Sequence, residues 1–404
     1  MTIFVANNAT IMIEGRYVFA QVLDFVSEYE FRKCVKRYNG DYRAHELTCL
    51  NQFRHLLFGQ LTSCSSIRDI CMCLKAHQNR LFHMGFGNTV DHTTLTRANE
   101  RRDYRIYEDF GQYLIQKVKP LYRDVRLPDI DADNAVFAID STSISISIKL
   151  CTWALGKYEA GAVKMHTVLS LAGSIPTQIH VTDGLWHDSN FLDMLQTEVN
   201  SIYVADKAYV DLEAMRRIHE CGSYFILRPK DNMKFDFLEE FTQGKNNEIR
   251  VDFVVRLAKS SSRKLYPYDL RMVRVLDTES KEYITFITDN FEISAEDIAA
   301  IYRHRWDIEV FFKWIKQNIV IKHLWGYSEN AVKTHLWVAI CAYLILARIK
   351  AEYKSPYSIT EIATLVSVSA MAKIPLRELL DAKIDSSNQN VKDQLTLFEQ
   401  TCES

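Results

Sequence analysis

Apolar residues recur at three- and four-residue spacing from about residue 15 to 126, the pattern of helices that bury one face. GRYVFAQVLDFVSEYEFRKCVKRY reads as one such helix, ending on a basic turn before Asn39-Gly40. HELTCLNQFRHLLFGQLTS and SSIRDICMCLKAH predict two more, the second with Ser65 or Ser66 as N-cap. DHTTLTRANERRDYRIYEDFGQYLIQKV continues the helical period, and LPDIDADN, with Pro128 and its acids, predicts a linker.

The period then shortens. NAVFAIDSTSISISI, VKMHTVLSLAG and IPTQIHVTDG predict three strands, the last two joined by a turn at Gly173-Ser174. HDSNFLDMLQ predicts a helix, SIYVADKAYVD a fourth strand, DLEAMRRIHECG a helix capped by Gly222, and SYFILRPK a fifth strand. EIRVDFVVRLA, YDLRMVRVLD and KEYITFITDN add three more strands, with Ser260 to Lys264 as an exposed basic loop. IYRHRWDIEVFFKWIK, from Ile301 to Lys316, returns to helical spacing. HLWGYSENAVKTHLWVAICAYLILARIK begins as a loop and continues as a strongly apolar, core-packing helix. SSNQNVKDQLTLFEQTCES is polar and expected to be poorly ordered.

A chain of 404 residues, 48% apolar and 25% charged, suits a soluble protein of two or three domains. No run of about 18 apolar residues predicts a membrane span, and MTIFVANNATIMIEG lacks the layout of a secretion signal. Nine scattered cysteines predict reduced thiols, and none has zinc-site spacing. Net charge is −2, unevenly spread: residues 1–126 carry 18 Lys and Arg against 13 Asp and Glu, the remainder 31 against 38. Arg97, Arg101, Arg102 and Arg105 fall close to one helical face and form the candidate phosphate-contacting surface of the basic part. The plainer reading is a solvated basic face.

Placed at 100° per residue on one helix, Tyr302, Arg305, Glu309 and Lys316 share a stripe. Ile301, Ile308, Phe311, Phe312, Ile315 and Ile319 form the apolar stripe beside it. A carboxylate flanked by two cations and a phenol can hold a metal ion next to a phosphate; an ordinary solvated Arg/Glu pair is the alternative. Asp307 points away from Glu309 on such a helix, and Trp306 and Trp314 are expected to pack. Asp140 and Asp206 each follow an apolar strand, where an unpaired charge is costly. Within VTDGLWHD, Asp183, His187 and Asp188 are expected to stabilise a turn; Lys207 and Tyr209 line the cleft or the surface.

Tyr302, Arg305, Glu309 and Lys316 fit Y-x2-R-x3-E-x6-K without a departure. This resembles the signature of the "insertion sequence four" family of DDE transposases. The resemblance implies an α/β fold: a ribonuclease-H-like core (127–232 and 291–350) interrupted by a β-rich insertion (233–290). An N-terminal helical DNA-binding domain (1–126) would precede it, and a C-terminal helical region with a polar tail (351–404) would follow. Asp140, Asp206 and Glu309 would be the catalytic and metal-binding carboxylates, holding two Mg²⁺ ions with Mn²⁺ able to substitute. Tyr302, Arg305 and Lys316 would contact element-end DNA. The resemblance further implies cut-and-paste transposition through a hairpin, with terminal inverted repeats and target DNA as partners. It implies a homodimer in the synaptic complex and action on DNA in a bacterial cytoplasm, without a membrane. The rival readings are a ribonuclease-H-like nuclease without strand transfer and an inactive, transposase-derived DNA-binding protein.

Overall fold

A computed structural model describes residues 15–381 apart from 88, 147–150, 152, 155, 157–160, 242–248, 277–280 and 319–323. The polar C-terminal stretch and Ile319 therefore lie outside the described residues.

Among the described residues six α-helices come first: α1 (Val18–Leu23), α2 (Glu28–Arg37), α3 (Cys49–Leu61), α4 (Ile67–Ala76), α5 (His92–Arg101) and α6 (Arg105–Val118). Two predicted helices are each split in two. Ser27 interrupts the first, because its hydroxyl accepts from Glu30 N (3.4 Å) and two acids occupy the first turn of α2. A good N-cap restarts a helix where spacing alone would continue it. The second break falls at Arg102, extended between α5 and α6, so the four arginines do not share a face. Ser66, not Ser65, caps α4 by accepting from Asp69 N (3.1 Å).

The strands β1 (Ala135–Ile146), β2 (Gly161–Ser170) and β3 (Ile175–Asp183) form an antiparallel meander turned at Gly173 and Ser174, both at positive φ. A short α7 (Asp188–Phe191) precedes β4 (Ser201–Ala205), and α8 (Leu212–Glu220) precedes β5 (Tyr224–Leu227). Strands β1, β4 and β5 run parallel, so the order 3-2-1-4-5 is that of a ribonuclease-H-like sheet. Then come β6 (Phe235–Glu240), β7 (Ile249–Leu257), α9 (Ser260–Leu265), β8 (Leu270–Leu276) and β9 (Tyr283–Thr288). The expected basic loop is thus the helix α9. Strand β6 was hidden in the pattern because, as the edge of the sheet, its residues from Asp236 onward are exposed. Strands β6 to β9 extend the same sheet: β9 pairs with both β5 and β8. A buried ion pair, Arg271 to Asp252 (2.8 Å), ties β8 to β7, and Arg271 also donates to Ile293 O (2.6 Å).

The expected helix over Ile301–Lys316 is two helices, α10 (Ala295–His304) and α11 (Asp307–Asn318). Between them Arg305, Trp306, Ile308 and Glu309 each donate to the residue three before, a tightened turn with no proline or glycine. The break lets each segment pack on a different surface. Tyr302 meets Phe286 of β9 (ring centroids 4.6 Å apart), whereas Phe311 and Trp314 meet Tyr343 at 5.0 and 4.8 Å. Tyr343 belongs to α12 (Glu329–Tyr353), followed by α13 (Ile359–Ser369) and α14 (Leu376–Asp381).

Helix α12 is long and apolar enough to cross a membrane, but 89% of its most apolar stretch is buried in protein. Its Trp337 sits against Gly111 of α6, where a Cβ would meet the indole at 2.7 Å. Alternation along the sheet separates two cores. Val136, Ala138, Ile202 and Val204 face the helical side, and Phe137, Ile139, Tyr203 and Ala205 face α8.

Candidate active site

Parity on the strands decides where the aspartates go. Asp140 follows Ala138 and Asp206 follows Val204 at two-residue spacing, so both fall on the helical side of the sheet. Ile139 is paired with Ala205, which puts Asp140 and Asp206 next to each other in register. Asp140 is not at a strand end, as expected from its apolar lead-in, but in the middle of β1. It opens into a cleft because its neighbour β4 stops at Ala205.

Helix α11 brings the third carboxylate to this cleft. Arg305, 12% exposed in its side chain, lies 3.2 Å from Glu309 Oε1 and 3.7 Å from Asp140 Oδ2. Burial pushes the Asp140 carboxyl up to about 6; the charges of Glu309 and Asp206 add to the shift, while Ser141 N–H and Arg305 oppose it. Asp140 and Asp206 each accept a hydrogen bond from the next backbone N–H, Ser141 (2.8 Å) and Lys207 (2.6 Å). Tyr302 is buried beneath the Arg305 guanidinium (5.6 Å), its phenol pKa raised by burial and by Asp206. Lys316 is exposed farther along α11.

Hard oxygen donors facing one cleft suit a divalent cation, and the mutual repulsion felt at Asp140 is what such an ion relieves. Among the described residues no three acidic, His or Cys groups already form an ion-sized cluster. The cation between Asp140 and Glu309 is Arg305.

Behind Asp140 lie Ser141, Lys164 and His166, which spacing had not singled out, gathered on Asp188, which was expected only to stabilise a turn. Ser141 Oγ donates to Asp188 (2.5 Å), which also takes Lys164 Nζ at 3.2 Å and faces the buried His166 at 3.6 Å. Burial works against the Asp188 charge, but the bonds from Ser141 and Lys164 outweigh it and hold its pKa below the usual range. The signal was present in VKMHTVLSL: a lysine and a histidine two apart on an otherwise apolar strand require a buried acid. Tyr209 is buried near Asp140, Asp188 and Asp206, while Lys207 is exposed and reaches Asp231 at 3.4 Å. Asp183 stabilises a turn, accepting from Leu185 N and Trp186 N, and His187 pairs only locally with Ser189. Trp314 packs as expected, but Trp306 does not: it is 61% exposed beside Arg305.

The arginines of the N-terminal part divide. Arg102 is half-buried and donates to Leu47 O and Gln52 Oε1, and Arg105 is held by Asp103 and stacked over Tyr38. Arg97 and Arg101 remain exposed.

Residues 131–345 match the family model "Transposase DDE domain", and residues 14–87 match a domain of unknown function. The transposase for insertion sequence element IS5377 of Geobacillus stearothermophilus is 29% identical over 258 residues, 63% of this chain and 66% of that protein. A transposase, y4zB, of Sinorhizobium fredii is 32% identical over 62% of this chain and 69% of its own length. The transposase for element IS4SA of Synechocystis is 29% identical over 64% and 72%. A structure of piggyBac transposase in a synaptic complex with hairpin DNA covers 93% of this chain and 84% of that one, at 10% identity and a TM-score of 0.45. With more than half its length matched by the DDE domain, the chain belongs to the DDE transposases, a family of DNA strand-transfer enzymes.

Proposed function

We propose that this chain is the transposase of an insertion sequence, cutting the ends of its element and joining them to target DNA. The observation that carries this reading is the placement of Asp140 and Asp206 side by side, with Arg305 spanning from Asp140 to Glu309. Asp140, Asp206 and Glu309 would hold two Mg²⁺ ions, or Mn²⁺ in their place. Such ions, when bound, activate the attacking hydroxyl and stabilise the leaving oxygen. Arg305, Tyr302 and Lys316 then hold phosphate oxygens of the element end. Ser141, pinned by Asp188, keeps its N–H on Asp140.

The route we favour is cut-and-paste through a hairpin. The 3′-OH freed by the first cut attacks the opposite strand and closes the end. Water reopens it, and the same 3′-OH attacks target DNA. The inserted strands β6–β9, similar to the insertion of the hairpin-forming members, support this route. The working division of the chain is 1–126 for DNA binding, 127–232 with 291–350 for catalysis, 233–290 as the insertion, and 351–404 as a C-terminal region. Two protomers would act on paired ends, the terminal inverted repeats, inside a bacterial cytoplasm.

A strand-transfer assay tests this, with Mg²⁺ and duplexes carrying the DNA that flanks the encoding gene. Cleaved ends, hairpins and joined products are expected. Cleavage without joining would identify a ribonuclease-H-like nuclease instead, and binding without cleavage an inactive DNA-binding derivative.

A further inference from the structure

Helix α13 is uncharged on more than the face it buries. Ile362 and Val366 pack inward, and its one charged residue, Glu361, is taken up at the N-cap, where it accepts from Ser358 N (2.7 Å). The opposite face carries no charge, and Val368 on it is 78% exposed. A helix without a charged face is one that other chain covers on both sides.

That open face, with Ala363 and Val368, is one wall of a groove of about 310 Å³. Leu61 at the end of α3, Trp314 of α11 and Leu346 of α12 line the rest of it. No charged side chain lines it among the described residues, so it is not built for phosphate. Gln60 lines it too, only 5% exposed, and neither the oxygen nor the nitrogen of its carboxamide has a hydrogen-bond partner. Such a group is costly to bury. The main chain of an extended peptide supplies the N–H and C=O that a carboxamide lacks here.

The chain itself contains a segment of that kind within reach. Helix α14 ends at Asp381 beside α13: Leu380 O accepts from Ser355 Oγ (3.1 Å), three residues ahead of the N-cap Ser358. Beyond it, Leu395, Leu397 and Phe398 place three large apolar side chains within four positions, bounded by Asp393 and Glu399. The intervening residues 382–394 extend at most about 45 Å. Helix α13, of 11 residues, is about 16 Å long. Every point of the groove is therefore accessible to this run from the root of its own tail.

We propose that residues 394–398 of the same chain, Gln-Leu-Thr-Leu-Phe, dock in this groove, with their main chain on the Gln60 carboxamide and their apolar side chains against Leu61, Trp314 and Leu346. The short tether favours the chain's own tail over that of a second copy. Because Trp314 belongs to α11, the docked segment braces the helix that carries Glu309 and Lys316. The docking goes beyond the strand-transfer reading and holds whether or not the chain cuts DNA.

Photo-crosslinking of the full chain tests this, with p-benzoylphenylalanine in place of the exposed Val368. Mass spectrometry should find the label joined to residues 394–398 of the same chain, in a yield that dilution does not change. The combined Leu395→Asp, Leu397→Asp, Phe398→Asp variant should lose that product. A fluorescent peptide of residues 391–401 should bind this triple variant, and bind wild type about tenfold more weakly because the tethered segment competes. Adding Gln60→Leu to the triple variant removes an unpaired amide, keeps the apolar packing, and should weaken the peptide about tenfold. A label joined to other residues, or to a second copy in a product lost on dilution, overturns the docking. So does a peptide that binds wild type and the triple variant equally, or neither. Strand-transfer assays on wild type are read apart, since their failure leaves these results standing.

Discussion

Arg305 lies within 3.7 Å of Asp140 and 3.2 Å of Glu309, so one guanidinium spans two carboxylates carried by different elements. It sits at the tight turn between α10 and α11, the position that spacing alone would have buried in a continuous helix. Its positive charge offsets the repulsion among the acidic groups gathered there. The same position is suited to a phosphate once Asp140 and Glu309 have another positive partner.

Removing that charge, or the one on Lys316, separates DNA contact from mere surface charge. Arg305→Ala and Lys316→Ala should each weaken binding to element-end DNA and lower its salt slope by about one unit. Salt titrations showing both variants indistinguishable from wild type would return these residues to a solvated helix face.

Asp140 is charged at a cost, because its pKa is raised to about 6. Stability from a raised acid pKa is present at low pH and lost as pH rises through it, so at pH 7.5 the ionised group destabilises the fold. Asp140→Asn should therefore raise the melting temperature in chelator while abolishing cleavage, a gain on the order of 1–3 kcal/mol. Added Mg²⁺ or Mn²⁺ should stabilise wild type and leave Asp140→Asn nearly unmoved. Equal metal-induced shifts in the two proteins would rule out Asp140 as a ligand.

Buried histidines, His166, His55 and His335, set a different pH dependence. Burial lowers His166 and His55 to about 4 and His335 to about 3, the last stacked on Trp325 at 4.1 Å. Below the unfolded value near 6.5 the unfolded chain takes up protons that these buried rings refuse. Their contribution is thus complete above pH 6.5 and is lost as pH falls toward 4 and 3. Urea unfolding at pH 7.5 and at pH 5 should differ by about 1.4 kcal/mol per pH unit per histidine within that window. His335→Leu should remove one share of the slope; a variant with the wild-type slope would locate the effect elsewhere.

Arg271 of β8 is fully buried against Asp252 of β7. Arg271→Ala leaves that carboxylate without its partner and should cost about 3–5 kcal/mol. Because β9 pairs with both β5 and β8, the loss should appear as a lower midpoint of one unfolding transition. A separate early transition for β6 to β9 would show that the continuous sheet does not couple the two parts.

Action on paired ends is checked by mixing. A Glu309→Ala protein combined with an Arg305→Ala, Lys316→Ala protein should restore some cleavage in a complex of two protomers and two ends. Full cleavage from a complex of one protomer and one end would exclude the dimer.

Much of this protein is written locally. The change from helical to two-residue period near Asn134 marked where the sheet begins, and β1 to β5 and β7 to β9 fell where alternation and turn residues predicted. The spacing of Tyr302, Arg305, Glu309 and Lys316, with two aspartates after apolar strands, singled out the candidate site before any fold was in view. What spacing could not decide was anything set by contacts distant in sequence. The helix over Ile301–Lys316 breaks because α10 packs on β9 and α11 on α12, different surfaces that spacing cannot see. Arg102 looked free beside Arg101, yet it is spent on Leu47 and Gln52, 55 and 50 residues earlier. Asp188 holds Ser141 behind Asp140 only because β1 and β2 pair in one register and α7 folds back over them. Periodicity reports which face a residue occupies; which partner waits on that face is fixed by the tertiary arrangement, since side-chain charges and hydrogen bonds are satisfied in space rather than along the chain.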